Sequence, residues 1–174
     1  MMLTKSNRKT NYRNRLKLLK SGKPRLVIRK TNSQIIAQVT EYGEKGDKTV
    51  ASAHGNDLKK FGWSLSCKNT PAAYLVGFLL GKRSDSKEAI VDKGNSTLKK
   101  DSYIYYVMKG AKDAGMDVHS DKIPVSEGRL YGDHISGYFE ARKGNQFSSV
   151  GDKVRNIKKE VEETVAKINQ HGRE

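Results

Sequence analysis

One cysteine, Cys67, stands alone in the 174-residue sequence. No intrachain disulfide can form, which excludes a small secreted fold stapled by bridges. Cys67 taken with His54 supplies too few ligands for a structural zinc, and no other pair has zinc-site spacing. Long hydrophobic runs are missing as well. The longest near-apolar stretch, Ala72 to Gly81, is half of the ~20 residues that a membrane-spanning helix needs. The polar stretch from Thr4 to Arg15 leaves no apolar segment for a signal peptide, and residue 2 is Met rather than the Gly of a myristoylation signal. The expectation is a soluble intracellular protein of one domain, with a modest core because 35% of residues are hydrophobic and 30% charged. No repeat unit and no low-complexity tract interrupt it.

Clustered catalytic groups are equally scarce. His54, His119, His134 and His171 are scattered, and no Ser or Cys lies in a nucleophile-elbow context. Gly132-Asp133-His134 reads as a hydrogen-bonded turn. A metal nuclease built on a sheet would want several carboxylates at strand ends, and Asp92 alone qualifies. The residues therefore point to no enzyme, no metal, no cofactor and no small-molecule substrate.

The most informative absence is of acids near the N-terminus. Residues 1–30 hold eleven basic residues (Lys5, Arg8, Lys9, Arg13, Arg15, Lys17, Lys20, Lys23, Arg25, Arg29 and Lys30) and not one Asp or Glu. Residues 31–110 carry twelve basic against eight acidic side chains, and residues 111–174 eleven against eleven. The formal net charge of +15 is thus a gradient that peaks at the N-terminus, and such a field calls for a polyanionic partner.

Residues 1–24 read as an arm: a polar, basic stretch to Asn11, then a short helix with Tyr12, Leu16 and Leu19 on one face, stopped by Ser21-Gly22-Lys23-Pro24. An isolated helix of this length is marginal, so it should firm up on docking. Residues 25–147 read as an α/β core. Arg25 to Lys30, Gln34 to Tyr42 and Lys48 to His54 are strands joined by short turns, hence an antiparallel meander, with Leu26 and Ile28 on one face of the first strand and Arg25 and Arg29 on the other. A short helical turn follows at Asn56 to Phe61. Asn69-Thr70-Pro71 opens a helix with Ala72, Val76, Leu79 and Leu80 as its buried stripe. Glu88 to Asp92 is a fourth strand, and a third helical segment carries Tyr103, Val107, Ala111 and Ala114. The expected fold is α/β: a layered mixed sheet, three-strand meander plus a further strand, covered by helices. Residues 117–147 read as an irregular surface excursion. Residues 148–174 read as a C-terminal amphipathic helix from Ser149 to Lys167, capped by Ser149 and Asp152, with Lys158/Glu162 and Lys159/Glu163 on a solvated face.

The arm suits nucleic acid better than a membrane. Tyr12, Leu16 and Leu19 are too few for firm insertion, whereas Arg and Lys interleaved with Asn7, Asn11, Asn14 and Tyr12 can neutralise phosphates, reach sugar hydroxyls and stack on an unpaired base. RNA is favoured over DNA because no helix-turn-helix spacing is visible and a basic arm leading onto a sheet fits irregular folded RNA.

Arg13-Asn14-Arg15-Leu16-Lys17-Leu18-Leu19-Lys20-Ser21-Gly22-Lys23-Pro24-Arg25-Leu26-Val27-Ile28-Arg29 resembles the arm and first strand of ribosomal protein eighteen of the large subunit, archaeal and eukaryotic type, the family that binds 5S rRNA. Ser52-Ala53-His54 with Asp57 to Trp63, Asn69 to Tyr74 with Gly81-Lys82-Arg83, Lys109 to Gly115, and Gly128 to Ile135 are similar to later blocks of that family in the same order. The resemblance covers roughly residues 5 to 140. It implies a non-enzymatic protein of the cytoplasmic ribosome that binds 5S rRNA and attaches it to large-subunit rRNA in the central protuberance, among neighbouring large-subunit ribosomal proteins. Carried over, the RNA contacts fall on Lys5, Arg8, Lys9, Tyr12, Arg13, Arg15, Lys17, Lys20 and Lys23 of the arm and on Arg25 and Arg29. Lys68 and Asn69, at a helix start, are a weaker candidate for which simple capping is an equal reading. Two departures stand out: Asn11 where the family often has an acid, and Lys93 where the archaeal pattern tends to be apolar. No site is transferred to residues 148–174.

Overall fold

The computed structural model describes residues 11–120, 123–141 and 151–172. Helix α1 (Tyr12–Leu19) precedes strands β1 (Arg25–Lys30), β2 (Ile35–Glu41) and β3 (Lys48–His54), after which comes a 3-10 helix, Gly55–Phe61. Then follow α2 (Thr70–Arg83), β4 (Glu88–Asp92), α3 (Tyr103–Asp113), β5 (Asp117–Val118), α4 (Glu127–Tyr131), α5 (Asp133–Ala141), α6 (Gly151–Arg155) and α7 (Ile157–His171). Among the described residues no helix is long and apolar enough to cross a membrane.

The strands lie in the order β3-β2-β1-β4-β5. β1–β2 and β2–β3 are antiparallel, while β1–β4 and β4–β5 are parallel. The expected meander and fourth strand are present, and β5, only two residues long, is too short to carry a sequence period. Strand β3 therefore runs in the same direction as β4, with α2 as the crossover, and α3 links β4 to β5. Both crossovers advance the same way across the sheet, so the right-handed rule puts α2 and α3 on one face and leaves the other uncovered. Burial agrees: Leu26, Ile28, Ile35, Ala37, Val39 and Ala53 are fully buried beneath the helices.

The stripe expected on α2 is only part of what that helix buries. Every residue from Pro71 to Leu80 is buried, because the sheet lies on one side and α3, α4 and α7 close the others. A helix apolar all round belongs in the centre of a domain. On α3 the buried set is Ile104, Tyr106, Val107, Met108, Gly110 and Ala111, so the face is rotated from the expected one, and Tyr103 and Ala114 lie at its margin. Two glycines let α2 and α3 cross at backbone contact. A Cβ on Gly77 would stand 2.0 Å from the Val107 carbonyl oxygen, and one on Gly110 would stand 2.1 Å from that of Tyr74.

The C-terminal region departs from expectation in two ways. Residues 127–141 are helical instead of an irregular excursion, with α4 and α5 carrying Leu130 and Ile135 against the core. The single helix expected from Ser149 is two helices broken at Asn156. The two have different partners: Arg155 of α6 sits over the Phe139 ring of α5 at 5.5 Å, while Ile157, Val161 and Ile168 of α7 join the main core. Lys158 is not on a purely solvated face, since its ammonium lies 5.2 Å from the centre of the Tyr131 ring. Lys159 does approach Glu163, at 3.9 Å. The proposed cap at Ser149 and Asp152 falls outside the described side chains.

Gly77→Ala should cost about 2 kcal/mol or more, since the backbone of α3 must move to admit the methyl group. Gly137→Ala, on the exposed side of α5 with nothing within 4 Å, should stabilise by roughly 0.5 kcal/mol through helix propensity. Opposite signs in urea unfolding are expected; equal effects would contradict the close crossing.

Candidate nucleic-acid interface

On the uncovered face of the sheet, Arg25, Val27 and Arg29 of β1 alternate with the buried Leu26 and Ile28. Gln38 and Thr40 of β2 pair with Val27 and Arg25 on that face, and Asp92 of β4 lies beside Val27. Helix α1 comes to the edge of these residues, so Asn11, Asn14 and Arg15 complete a cleft with Asp47 and Gly94. Asn11 caps α1 by accepting a hydrogen bond from the Asn14 amide at 3.1 Å. A departure from the family's usual acid thus keeps the capping oxygen.

Arg25 points away from the helices, as its place in the strand predicts, but it is only 3% exposed. Its Nη1 donates to Asp92 Oδ2 at 3.2 Å, and its Nη2 donates to Asp47 Oδ2. The same Asp47 oxygen accepts from Arg15 Nη2 at 2.8 Å. Asp92, at the end of β4, is also engaged from outside: Arg29 Nη2 lies 3.5 Å from Oδ1, and the Gly94 amide donates to Oδ1 at 2.8 Å. Arg29 donates further to the carbonyls of Ile28 and Asp92, yet its side chain remains 46% exposed. Gly94 has φ +58, and a Cβ there would meet the Arg29 guanidinium at 3.1 Å, so a glycine lets the β4–α3 loop lie against it.

Helix α1 docks by charge. Of the expected stripe, Tyr12 and Leu16 are 67% and 60% exposed and Leu19 is half-buried, while Arg15–Asp47 makes the link to the hairpin between β2 and β3. Arg13, Lys17 and Lys20 are exposed, and their side chains form no ion pair among the described residues. Lys23 pairs with Glu88 at 2.8 Å, and that hydrogen bond raises its pKa above the usual lysine value. Lys68 and Asn69 are not brought into this cleft. They line a shallow one with Lys30, Thr31, Asn32 and Ser66, and Asn69 Oδ1 caps α2 by accepting from the Ala72 amide at 2.8 Å. Lys5, Arg8 and Lys9 lie outside the described residues.

Sequence reasoning missed Gln38, Thr40, Asp47 and Gly94. Strand alternation could have found Gln38 and Thr40, which follow from the β1–β2 register; the reach of Asp47 from a turn has no local signal. No group of three or more His, Cys, Asp or Glu able to hold a metal occurs among the described residues. His134 makes a 3.4 Å contact with Thr70 Oγ1, and burial together with nearby Arg129 lowers its pKa.

Arg25→Ala would leave Asp92 buried without its main partner and should cost about 3 kcal/mol, against roughly 1 kcal/mol or less for the exposed Arg29→Ala. Asp47→Asn should speed amide exchange across Tyr12–Leu19 while leaving exchange in α2 unchanged. Protection of α1 equal to that of the unaltered protein would show that Asp47 does not hold the arm.

Comparison with known proteins agrees with this architecture. Residues 4–98 match the family described as ribosomal large subunit proteins 60S L5 and 50S L18. A large ribosomal subunit protein uL18 of Methanococcus maripaludis is 46% identical over 173 residues, covering 92% of this chain and 90% of that protein. One from Halobacterium salinarum is 46% identical over 137 residues, covering 76% of this chain and 75% of its own. With the family matched over the arm, strands β1 to β4 and α2, and archaeal relatives aligned along most of the chain, this protein belongs to the uL18 family of large ribosomal subunit proteins, structural rather than enzymatic constituents of the ribosome.

Proposed function

We propose that the arm and the open sheet face form the surface that binds 5S rRNA and attaches it to large-subunit rRNA in the central protuberance. One observation carries this reading: exposed cations without acidic partners among the described residues gather on the outer side of α1, while the acids of the cleft bond inward to Arg15 and Arg25. RNA phosphates would meet Arg13, Lys17, Lys20 and the exposed edge of Arg29, with Lys5, Arg8 and Lys9 extending the same basic sequence. Tyr12 offers a ring for a splayed base, and Asn14 and Gln38 offer hydrogen bonds to sugar or phosphate. Arg15 and Arg25 take a different role from the one carried over by resemblance. They hold the arm and the sheet together and act on the RNA through the residues they position. Lys23 has Glu88 as a competing partner, and Lys68 and Asn69 belong to a peripheral rim.

Deleting residues 1–20 should weaken 5S rRNA binding by roughly 100-fold or more and flatten its salt dependence, because each lost phosphate contact removes close to one counterion from the slope. Arg29→Ala should cost about tenfold. Both are measurable by filter binding between 50 and 200 mM salt, an interval over which several phosphate contacts produce losses on the order of 1000-fold. Unchanged affinity after the deletion would sink the proposal.

A further inference from the structure

The neutral balance of residues 111–174 conceals a second basic surface. It lies in the helical layer, on the other side of the sheet from the arm. Lys60 and Phe61 from the 3-10 helix, Arg83 from the end of α2, and Lys167 and His171 from the last turns of α7 line one cleft. Chain folding assembles it, since α7 packs on both α2 and the 3-10 helix. Gly62, at φ +91, ends the 3-10 helix, and a Cβ there would stand 2.7 Å from Lys167 Nζ, so the lysine ammonium occupies the space a side chain would fill.

The nearby acids are engaged elsewhere, except for the buried Oε2 of Glu160, which lacks a hydrogen-bond partner among the described residues. Asp57 accepts from Arg83 Nη1 at 2.7 Å and from the His54 amide at 3.1 Å; burial alone would raise its pKa, yet these bonds hold it below the usual carboxylate value. Glu160 bonds to Ser64, accepting from its amide at 2.8 Å and its hydroxyl at 2.6 Å, and Glu163 lies by Lys159. Arg83 is further fixed by donating to the Ser52 carbonyl at 3.0 Å, which leaves its Nη2 unbonded among the described residues. Lys60 and Lys167 have no acidic partner among the described residues.

We propose that Lys60, Arg83, Lys167 and His171 form a second polyanion-binding surface that takes the phosphate backbone of an RNA segment other than the one on the sheet face. A protein partner fits less well. Protein interfaces are anchored by aromatic or aliphatic side chains inserted in pockets, and the aromatic residue here, Phe61, is 9% exposed and serves as floor. Lysines on flexible stems around a fixed arginine suit phosphates without reading sequence. The inference does not depend on 5S rRNA being the ligand of the arm.

The test uses the full chain. The protein is first saturated with 5S rRNA and then titrated with a labelled double-stranded RNA of mixed sequence at low salt. The double-stranded RNA should bind the complex, and Lys60→Glu with Lys167→Glu should weaken that second event tenfold or more while changing 5S rRNA affinity less than twofold. A charge-matched control, Lys45→Glu with Lys48→Glu in the β2–β3 hairpin, should weaken the second event less than threefold. Both substituted lysine pairs are exposed, so folding is expected to survive, and coincident urea midpoints check it. Equal losses in the two double variants would mean attraction by net charge alone and would overturn the proposal. So would unaltered double-stranded RNA binding by the Lys60/Lys167 variant, or a loss confined to binding of an acidic protein. If deletion of residues 1–20 abolishes 5S rRNA binding but leaves double-stranded RNA binding sensitive to Lys60 and Lys167, the two surfaces are independent.

Discussion

Arg25 carries a permanent charge at a point of the open sheet face from which water is nearly excluded, and desolvating such a group costs several kcal/mol unless it is paired and hydrogen-bonded. Asp92 from β4 and Asp47 from the β2–β3 turn supply that pairing. The consequences reach three separate parts of the chain. The end of β4 is held beside β1, the hairpin turn is drawn over the sheet, and Arg15 of α1 is left the remaining capacity of the same Asp47 oxygen. The arm is therefore positioned through a chain of charges, with only the Leu19 end of its apolar stripe half-buried. Because stripe and charge link are separable, Tyr12 and Leu16 stay exposed and available.

This arrangement also decides where the uncompensated positive charge lies. In the cleft itself Arg15, Arg25 and Arg29 face Asp47 and Asp92, so three cations are offset by two carboxylates. The unbalanced charge sits further out, on Arg13, Lys17 and Lys20. A buried pair of opposite charges contributes geometry, while exposed unpaired cations contribute long-range attraction and its salt dependence. A ribosomal protein that must find and then orient a large polyanion benefits from keeping these two tasks on different residues.

The core was legible wherever a local period carried it. Strands β1 and β3 fall on the residues that alternation and turn chemistry indicate, and Asn69-Thr70-Pro71 marks the start of α2 because cap and proline act within one turn. Alternation also put Arg25 and Arg29 on the correct face. What it could not supply was the exposure of each. Arg25 and Arg29 look alike in sequence, and their difference rests on Asp47, twenty-two positions from Arg25, and on Asp92, sixty-seven positions away. The all-round burial of α2 was hidden for a similar reason, since its other neighbours, α3, α4 and α7, come later in the chain. So too was the break at Asn156, which reflects two different packing partners for α6 and α7.

Charge summed along the chain and charge summed in space give different maps. The linear gradient isolates the arm because its cations are contiguous and no acid intervenes. It assigns nothing to the last third, where equal numbers of opposite charges cancel in the count. In three dimensions they do not cancel in place: on α7, Lys158, Lys159, Glu160, Glu162 and Glu163 share the first half, whereas the last two turns hold Lys167 and His171 and no acid. Lys158 and Lys159 outnumber Glu160 in the first turn, so the helix dipole does not set this order. Packing the far end of α7 beside Lys60 and Arg83 gathers basic residues that the sequence keeps more than eighty positions from that end. Docking of that acid-free end on α2 and the 3-10 helix thus creates a cationic surface on the helical layer.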